Sequence, residues 1–481
     1  MATVLGVALG PHATVVEARD ADTGELLRSG RARHDEGGGP EGDPTAWWRS
    51  LTAAIQRAGA GQVAALSVTG SHPGLVLLDA AGVVLRPVQA WDGARAEVAR
   101  LRQALGAERW ARRSGTVPDA GTAVTRLSWL RRTEPAAFAR IGTVLLPHDW
   151  LTYRLAGRAV TDRGSASCTG LWSPSAEGWL PEAIELLVGA GKVQAWAEHL
   201  PEVLEPDAAA DWLDAPVFEL LGLHGRPLVA PGTAEPMAIA LALGLTRGKV
   251  GVALAERTTV LAPLNDAVVD PSGVVQSRAD ATGGHLAVAH THGGAALIDA
   301  VAELLGLGVA ELGRLALLSE PVDDVVVVPG VGDRSGAVIT GVGPGVGRGA
   351  LARATFEGVA SAALAALEAI TEAGALWYDH EPIHLAGPAD ALEAHAQVLA
   401  NLAGHTVVAT PDGLAAAGAC VQAAAVLQRA HPAEVADGWD LAAGSEVEPE
   451  DDPEREHRLA LHAEARDRQR RAWSEDAAGG A

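Results

Sequence analysis

The stretch Val4–Gly30, VLGVALGPHATVVEARDADTGELLRSG, decides how this chain is read. Val4, Leu5, Val7 and Leu9 form a near-continuous apolar run around Gly6, the pattern of a strand covered on both faces. Gly10 and Pro11 break the run, Val15 and Val16 restart it, and Asp22-Thr23-Gly24 closes a second strand in a hairpin turn. A strand–glycine–strand unit of this kind often cradles a phosphate with its turn. This turn, however, holds Pro11 and His12 where hydroxyls and free amides would serve better. Ala8 stands where a carboxylate is the natural residue. The motif reads either as a nucleotide site or as the remains of one.

Working outward, 481 residues exceed what one core accommodates, so two domains are expected. The apolar fraction of 48% and the abundance of Ala and Gly indicate a globular, helix-rich α/β chain. Sixty acidic and 37 basic residues give a net charge of −23, which argues against nucleic acid or an anionic membrane as the main partner. Cys168 and Cys420 provide neither a zinc cluster nor a disulfide framework, a usage that suits a reducing cytoplasm. No basic-then-apolar leader precedes Val4, and charged residues or His interrupt the long apolar stretches. A soluble, cytoplasmic protein is therefore expected.

Further along, Asp43 is a good N-cap with Pro44 at the first helical position, ahead of an amphipathic helix through Trp48, Leu51 and Ile55. A strand, a sharp turn at Gly70–Gly74 and a hairpin at Ala81-Gly82 follow, and residues 96–157 read as mostly helical. The segment 215–245 rises to a strand at 226–230, breaks at Pro231-Gly232 and continues as an Ala-rich helix. The second half repeats the logic. KVGVALAERTTVLAP (249–263) reads as a strand, a helix spans 295–306, and a unit over 382–410 is strand–turn–helix–strand, closing in an Ala-rich helix around Gly418. This is a duplicated architecture without repeated sequence. From Glu446 the chain is highly charged, the pattern of a solvated terminal helix or an interaction tail.

Three short motifs carry little. GVGPGVGRG (341–349) lacks the strand and helix placement of a dinucleotide turn. Ser71 and His72 are sequence neighbours, not a catalytic dyad, and no nucleophile elbow is matched. His290 and His292 lack a further ligand cluster.

Four segments together resemble the FGGY family of sugar kinases: VTGSHPGLVLLDAAGVVLRPVQAWDGAR (68–95), LPHDWLTYRLAGRAVTDRGSASCTGLW (146–172), LARATFEGVASAALAALE (351–368) and IHLAGPADALEAHAQVLANLAG (383–404). Within that family the likeness is to xylulokinases. The resemblance implies an actin/hexokinase-like α/β fold with two ribonuclease-H-type domains flanking a cleft. These are placed at 1–244 (sugar) and 245–445 (ATP), with a charged tail at 446–481. It also implies ATP and Mg²⁺ as cofactor set, a pentulose acceptor such as D-xylulose, an Asp general base and possible homodimers. Phosphoryl transfer demands mostly positioning and charge neutralisation, so a few groups carry much of it.

Carried over residue by residue, the resemblance shows a pattern of substitution. The family's metal Asp falls on Ala8; Leu9 and Gly10 remain, and a Thr becomes Pro11. The Gly-Gln-Met-His-Gly sugar turn becomes Gly70, Ser71, His72, Pro73 and Gly74. Trp-Asn-Asp-x-Arg becomes Trp91, Asp92, Gly93, Ala94 and Arg95. The catalytic Gly-Gly-Gly-Asp-Asn falls on APGTAEPMA (230–238), with either Ala234 or Glu235 in the base slot. The second phosphate loop becomes Ala253, Leu254, Ala255, Glu256, Arg257 and Thr258; near the adenine, Gly387 is followed by Pro388, Ala389 and Asp390. On this reading His72, Pro73, Asp92 and Arg95 line the sugar side, and Gly10, Arg257, Thr258, Gly387 and Gly418 the nucleotide side. The function expected is that of a xylulokinase-like protein with a degenerate catalytic apparatus; the alternative is a non-catalytic sugar- or metabolite-binding regulator, a pseudokinase.

Overall fold

The computed structural model describes residues 2–34, 42–70, 74–88, 94–320, 325–330 and 336–479. The chain forms two compact units. The first comprises Met1–Gly244, Leu264–Ala287 and Gly413–Leu441; the second comprises Leu245–Pro263, Val288–Asp412 and Ala442–Ala481.

In the first unit β1 (Thr3–Leu9), β2 (Ala13–Asp20) and β3 (Leu26–Arg33) form an antiparallel meander. Helix α1 (Pro44–Ala58) follows, and β4 (Ala65–Gly70) pairs parallel to β1. Strands Leu228–Val229 and Asp211–Trp212 extend the sheet beyond β4. Asp43 caps α1 as its sequence implies, accepting from the Thr45 amide at 2.9 Å with Pro44 next in line. Leu5, Val7 and Leu9 of β1 share one face and pack with Trp47, Leu51 and Ile55 of α1. The other face carries Val4 and Gly6. There a Cβ on Gly6 would come within 1.9 Å of the Ala416 carbonyl oxygen. Helix Leu414–Gln428 therefore lies directly on the strand backbone.

The second unit repeats this order. Strands Thr258–Leu264 and Val250–Leu254 pair antiparallel. Ile383–Gly387 and Val407–Pro411 add in parallel, and Ser445–Val447 closes the edge antiparallel. The duplication read from the sequence is thus a duplication of strand order. One element differs from its reading: 249–263 is two strands, because Ala255–Arg257 reverse direction without a Gly, Pro or Asn to mark the turn. Helix Arg348–Glu372, apolar and long enough to cross a membrane, is mostly buried within this unit.

The charged C-terminal helix, Arg455–Gly479, is not simply solvated. Arg458, His462, Ala465 and Gln469 are buried. Of these, Arg458 and His462 approach the buried Glu357 of helix Arg348–Glu372. Arg353 donates to Glu357 at 2.7 Å, and Arg458 and His462 lie 3.8 and 3.9 Å from its carboxylate. Burial alone would raise the Glu357 carboxyl, but hydrogen bonds and charge from His462 and Arg353 outweigh it and hold it below its ordinary value. A depressed carboxyl contributes stability above its unfolded pKa and loses it as pH falls through the folded one. Glu357→Gln is expected to cost about 3–5 kcal/mol in urea unfolding near pH 7, because it leaves buried guanidinium charge unmatched. The deficit relative to wild type should shrink as the pH is lowered below about 4.

The close helix approach gives a second expectation. Gly418→Ala would place a Cβ 1.9 Å from the Ala238 carbonyl oxygen and should destabilise by about 1–3 kcal/mol or more. Gly438→Ala, on an exposed helical position with open space around it, should be neutral or gain about 0.5–1 kcal/mol in the same measurement.

Candidate functional site

Strand register gathers the first-unit residues. Ala8 pairs with Thr69, Leu9 with Gly70, and the short strand Thr233–Ala234 pairs with Thr69 and Gly70 in turn. The turn at Gly10–His12, Gly70 and Ala234–Glu235 therefore lie side by side at the carboxyl ends of three parallel strands, the edge where open α/β sheets bind ligands. Ala8 is half-buried there, and the Gly10 amide is taken up by the Ala13 carbonyl at 3.0 Å. Ala234 is buried in an apolar cluster with Val4, Ala65, Met237 and Leu241. Glu235 is half-buried and is the first residue of helix Glu235–Ala242, so the carboxylate at this sheet end belongs to Glu235. Arg95 is exposed on helix Ala94–Leu105, while His72, Pro73 and Asp92 lie outside the described residues.

Below this edge sits a polar cluster that sequence reasoning missed. His148 and Asp149 open helix Pro147–Ala156; Asp162 ends strand Val160–Asp162 and caps helix Arg163–Ser167. His148 Nε2 is 3.2 Å from Asp149 and 3.7 Å from Asp162, and it hydrogen-bonds Ser165 Oγ at 2.9 Å. Thr233 Oγ1 donates to Asp162 at 3.1 Å. All are buried. Their only signal in the sequence is three ionisable residues inside otherwise apolar segments.

Burial pushes the Asp149 carboxyl up to about 6. Burial would lower His148, but the Asp149 and Asp162 carboxylates outweigh it and raise the imidazole above its ordinary value. Both groups hold protons more tightly folded than unfolded, so each makes stability fall as pH rises through its window. Asp149→Asn removes the carboxyl's share. Its melting temperature relative to wild type should therefore rise between pH 4 and 6, the interval from the ordinary value to the raised one. A flat difference would refute that attribution.

In the second unit, Leu254 pairs with Thr258 across the three-residue turn Ala255–Arg257, and Ala253 pairs with Ala386 beside Gly387. Arg257, Thr258 and Gly387 thus meet at one sheet end. The turn is spoken for. The Ala255 carbonyl accepts from the Ala295 amide at 2.8 Å, capping helix Ala295–Leu305 by backbone, and Thr258 exchanges backbone hydrogen bonds with Thr291 and Gly293. Arg257 Nε reaches the Thr291 carbonyl at 3.4 Å. Glu256 is exposed at the tip. On the flanking helices, burial and the nearby Asp390 carboxylate both raise Asp299. Gly418 belongs to the first unit, where it is the crossing point with helix Glu235–Ala242, a packing position filled by protein.

Among the described residues no three His, Cys, Asp or Glu side chains group to hold a metal ion. Ala8 offers no side-chain oxygen, and the second-unit turn that the resemblance assigns to phosphate carries the Glu256 carboxylate beside the Arg257 guanidinium. At position 8 the metal-binding oxygen that the resemblance leads one to expect is missing.

Residues 27–240 match the N-terminal domain of the FGGY family of carbohydrate kinases. The chain is 35% identical to a xylulose kinase of Streptomyces coelicolor, covering 92% of this chain and 91% of that one. It is 36% identical to a xylulose kinase of Streptomyces rubiginosus, covering 95% of each. Among solved structures, xylulose kinase from Bifidobacterium adolescentis superimposes with a TM-score of 0.78 at 30% identity, over 97% of this chain and 99% of that one. A ligand-bound xylulose kinase from Lactobacillus acidophilus reaches a TM-score of 0.85 at 17% identity, over 99% and 100%, a likeness of fold. The actin/hexokinase-like α/β fold expected from the sequence is borne out, and the chain belongs to the FGGY family of carbohydrate kinases.

Proposed function

We propose that this protein binds a pentulose of the D-xylulose class in its first unit and is impaired in transferring phosphate to it. The observation that carries the reading is the sheet end where Ala8, Gly70 and Glu235 meet. The strand ends that would present acceptor and base are in register, yet position 8 has only a methyl group. Glu235 is the carboxylate on which residual turnover would run, accepting the sugar hydroxyl proton. Losing charge stabilisation and optimal base geometry together costs far more than losing either in a tolerant site.

A coupled assay with D-xylulose and Mg-ATP tests this. Turnover is expected at least about a hundredfold below the usual kinase range of about 1–100 s⁻¹. Turnover within that range, lost on Glu235→Gln, would overturn the reading.

A second reading, a non-catalytic sugar-binding regulator, is favoured by the acidic surroundings of the second-unit turn: Glu256 at its tip, with Asp299 and Asp390 on the flanking helices. It predicts that D-xylulose raises the melting temperature while Mg-ATP at about 1 mM does not, read by thermal shift and titration calorimetry.

A further inference from the structure

The segment Gly232–Glu235 is short on backbone support. Its strand has two residues, the next residue after Glu235 is Pro236, and Gly232 before it is held at φ +89°. A Cβ at Gly232 would lie 2.6 Å from the Val68 carbonyl oxygen and 3.2 Å from His148 Cδ2, so the chain is threaded tightly between β4 and helix Pro147–Ala156. Two buried side chains from distant parts of the sequence grip it. Asp162 accepts from Thr233 Oγ1 at 3.1 Å, and its same oxygen accepts from the Ser165 amide at 3.2 Å. Gln422 Nε2 donates to the Gly232 carbonyl at 2.8 Å, while Gln422 Oε1 accepts from Ser67 Oγ of β4 at 2.6 Å. The amide of Gln422 thus ties the segment back to the strand it pairs with. Thr233 is fully buried and Gln422 nearly so.

We propose that Asp162 and Gln422 are positioning residues that fix Gly232–Glu235 and so set where the Glu235 carboxylate stands beside Ala8 and Gly70. The inference rests on the reading that Glu235 occupies the base slot of a sugar kinase. Asp162 acts through the Thr233 hydroxyl, one peptide from Ala234, and Gln422 through the Gly232 carbonyl, one peptide from Thr233. The groups facing Asp162 are the His148 imidazole and the Asp149 carboxylate on helix Pro147–Ala156, the Cys168 thiol after helix Arg163–Ser167, and Arg278 beside that thiol. Among these groups Asp162 Oδ2 serves as the acceptor for both Thr233 and Ser165. Alignment of a reacting group is worth large factors in rate, and a displacement of about 1 Å is enough to forfeit about a hundredfold.

The test uses the full chain with Thr233→Val, Thr233→Ser and Gln422→Met. Amide hydrogen exchange over 232–238 is followed by mass spectrometry, and the Glu235 position is read from a crystal structure of each variant. Loss of a buried hydrogen bond to a charged acceptor should speed local exchange in Thr233→Val by about tenfold to a hundredfold. The Glu235 carboxylate should be displaced or disordered, and Thr233→Ser should return both readouts to wild type. Gln422→Met should act on the same amides. If Thr233→Val leaves exchange and the Glu235 position as in wild type, or if Thr233→Ser fails to restore them, the proposal is overturned. A merely structural role would lower global stability with Glu235 unmoved, which also overturns it. Neither readout needs turnover: absence of any effect of Glu235→Gln on phosphorylation would sink the assignment of the base and leave the anchoring result standing.

Discussion

The first unit depends on one close contact: an Ala-rich helix, Leu414–Gln428, laid onto backbone rather than onto side chains. At Gly6 it meets β1, and at Gly418 it meets helix Glu235–Ala242; in both places a methyl group would fall within 1.9 Å of a carbonyl oxygen. That approach brings Gln422 within reach of Ser67 and Gly232, and Cys420 against β2. A thicker interface would hold the same strands but would leave Gln422 short of the Gly232 carbonyl. Interiors packed this densely accept little change in volume, so the helix and the sheet end it supports move together or not at all.

Around that contact the frame of the first unit is set by backbone pairing and apolar packing. The parallel pairing of β1, β4 and Thr233–Ala234 needs only backbone hydrogen bonds and apolar cover. Ala8 suits this frame, since a methyl group packs at a half-buried strand end without a partner to satisfy. In the second unit the turn at Ala255–Arg257 is stabilised by the Ala255 carbonyl, which accepts from the Ala295 amide at the start of helix Ala295–Leu305, an arrangement that needs no phosphate.

The cluster of His148, Asp149 and Asp162 places ionisable groups close together in the interior of the first unit. Such groups cost desolvation energy and gain little net stability, so their worth lies in what they hold in place. Here they hold the residues just before Glu235. The Glu357 network in the second unit is similar in chemistry and different in consequence, since it docks a terminal helix onto a core helix.

Much of this was legible in order along the chain. The buried run of β1, the cap at Asp43, the break at Pro231-Gly232 and the repeated strand order follow from local rules: apolar period, capping and turn chemistry. The substitutions at Ala8 and Glu256 are likewise a property of the sequence. The rest depended on side chains far apart in sequence. The turn at Ala255–Arg257 carries no turn residue, Gly418 resembles a ligand glycine until Ala238 is seen against it, and the terminal helix hides Arg458 and His462 on one face. Ala234 and Glu235 differ by one position, and the fold gives them different settings: the methyl group is buried and the carboxylate-bearing residue opens a helix. The sequence by itself determined which elements form, because that is settled by neighbours within a few residues. Tertiary structure alone decided which polar atoms meet, because Asp162, Thr233 and Gln422 are joined by packing and by nothing nearer in the chain.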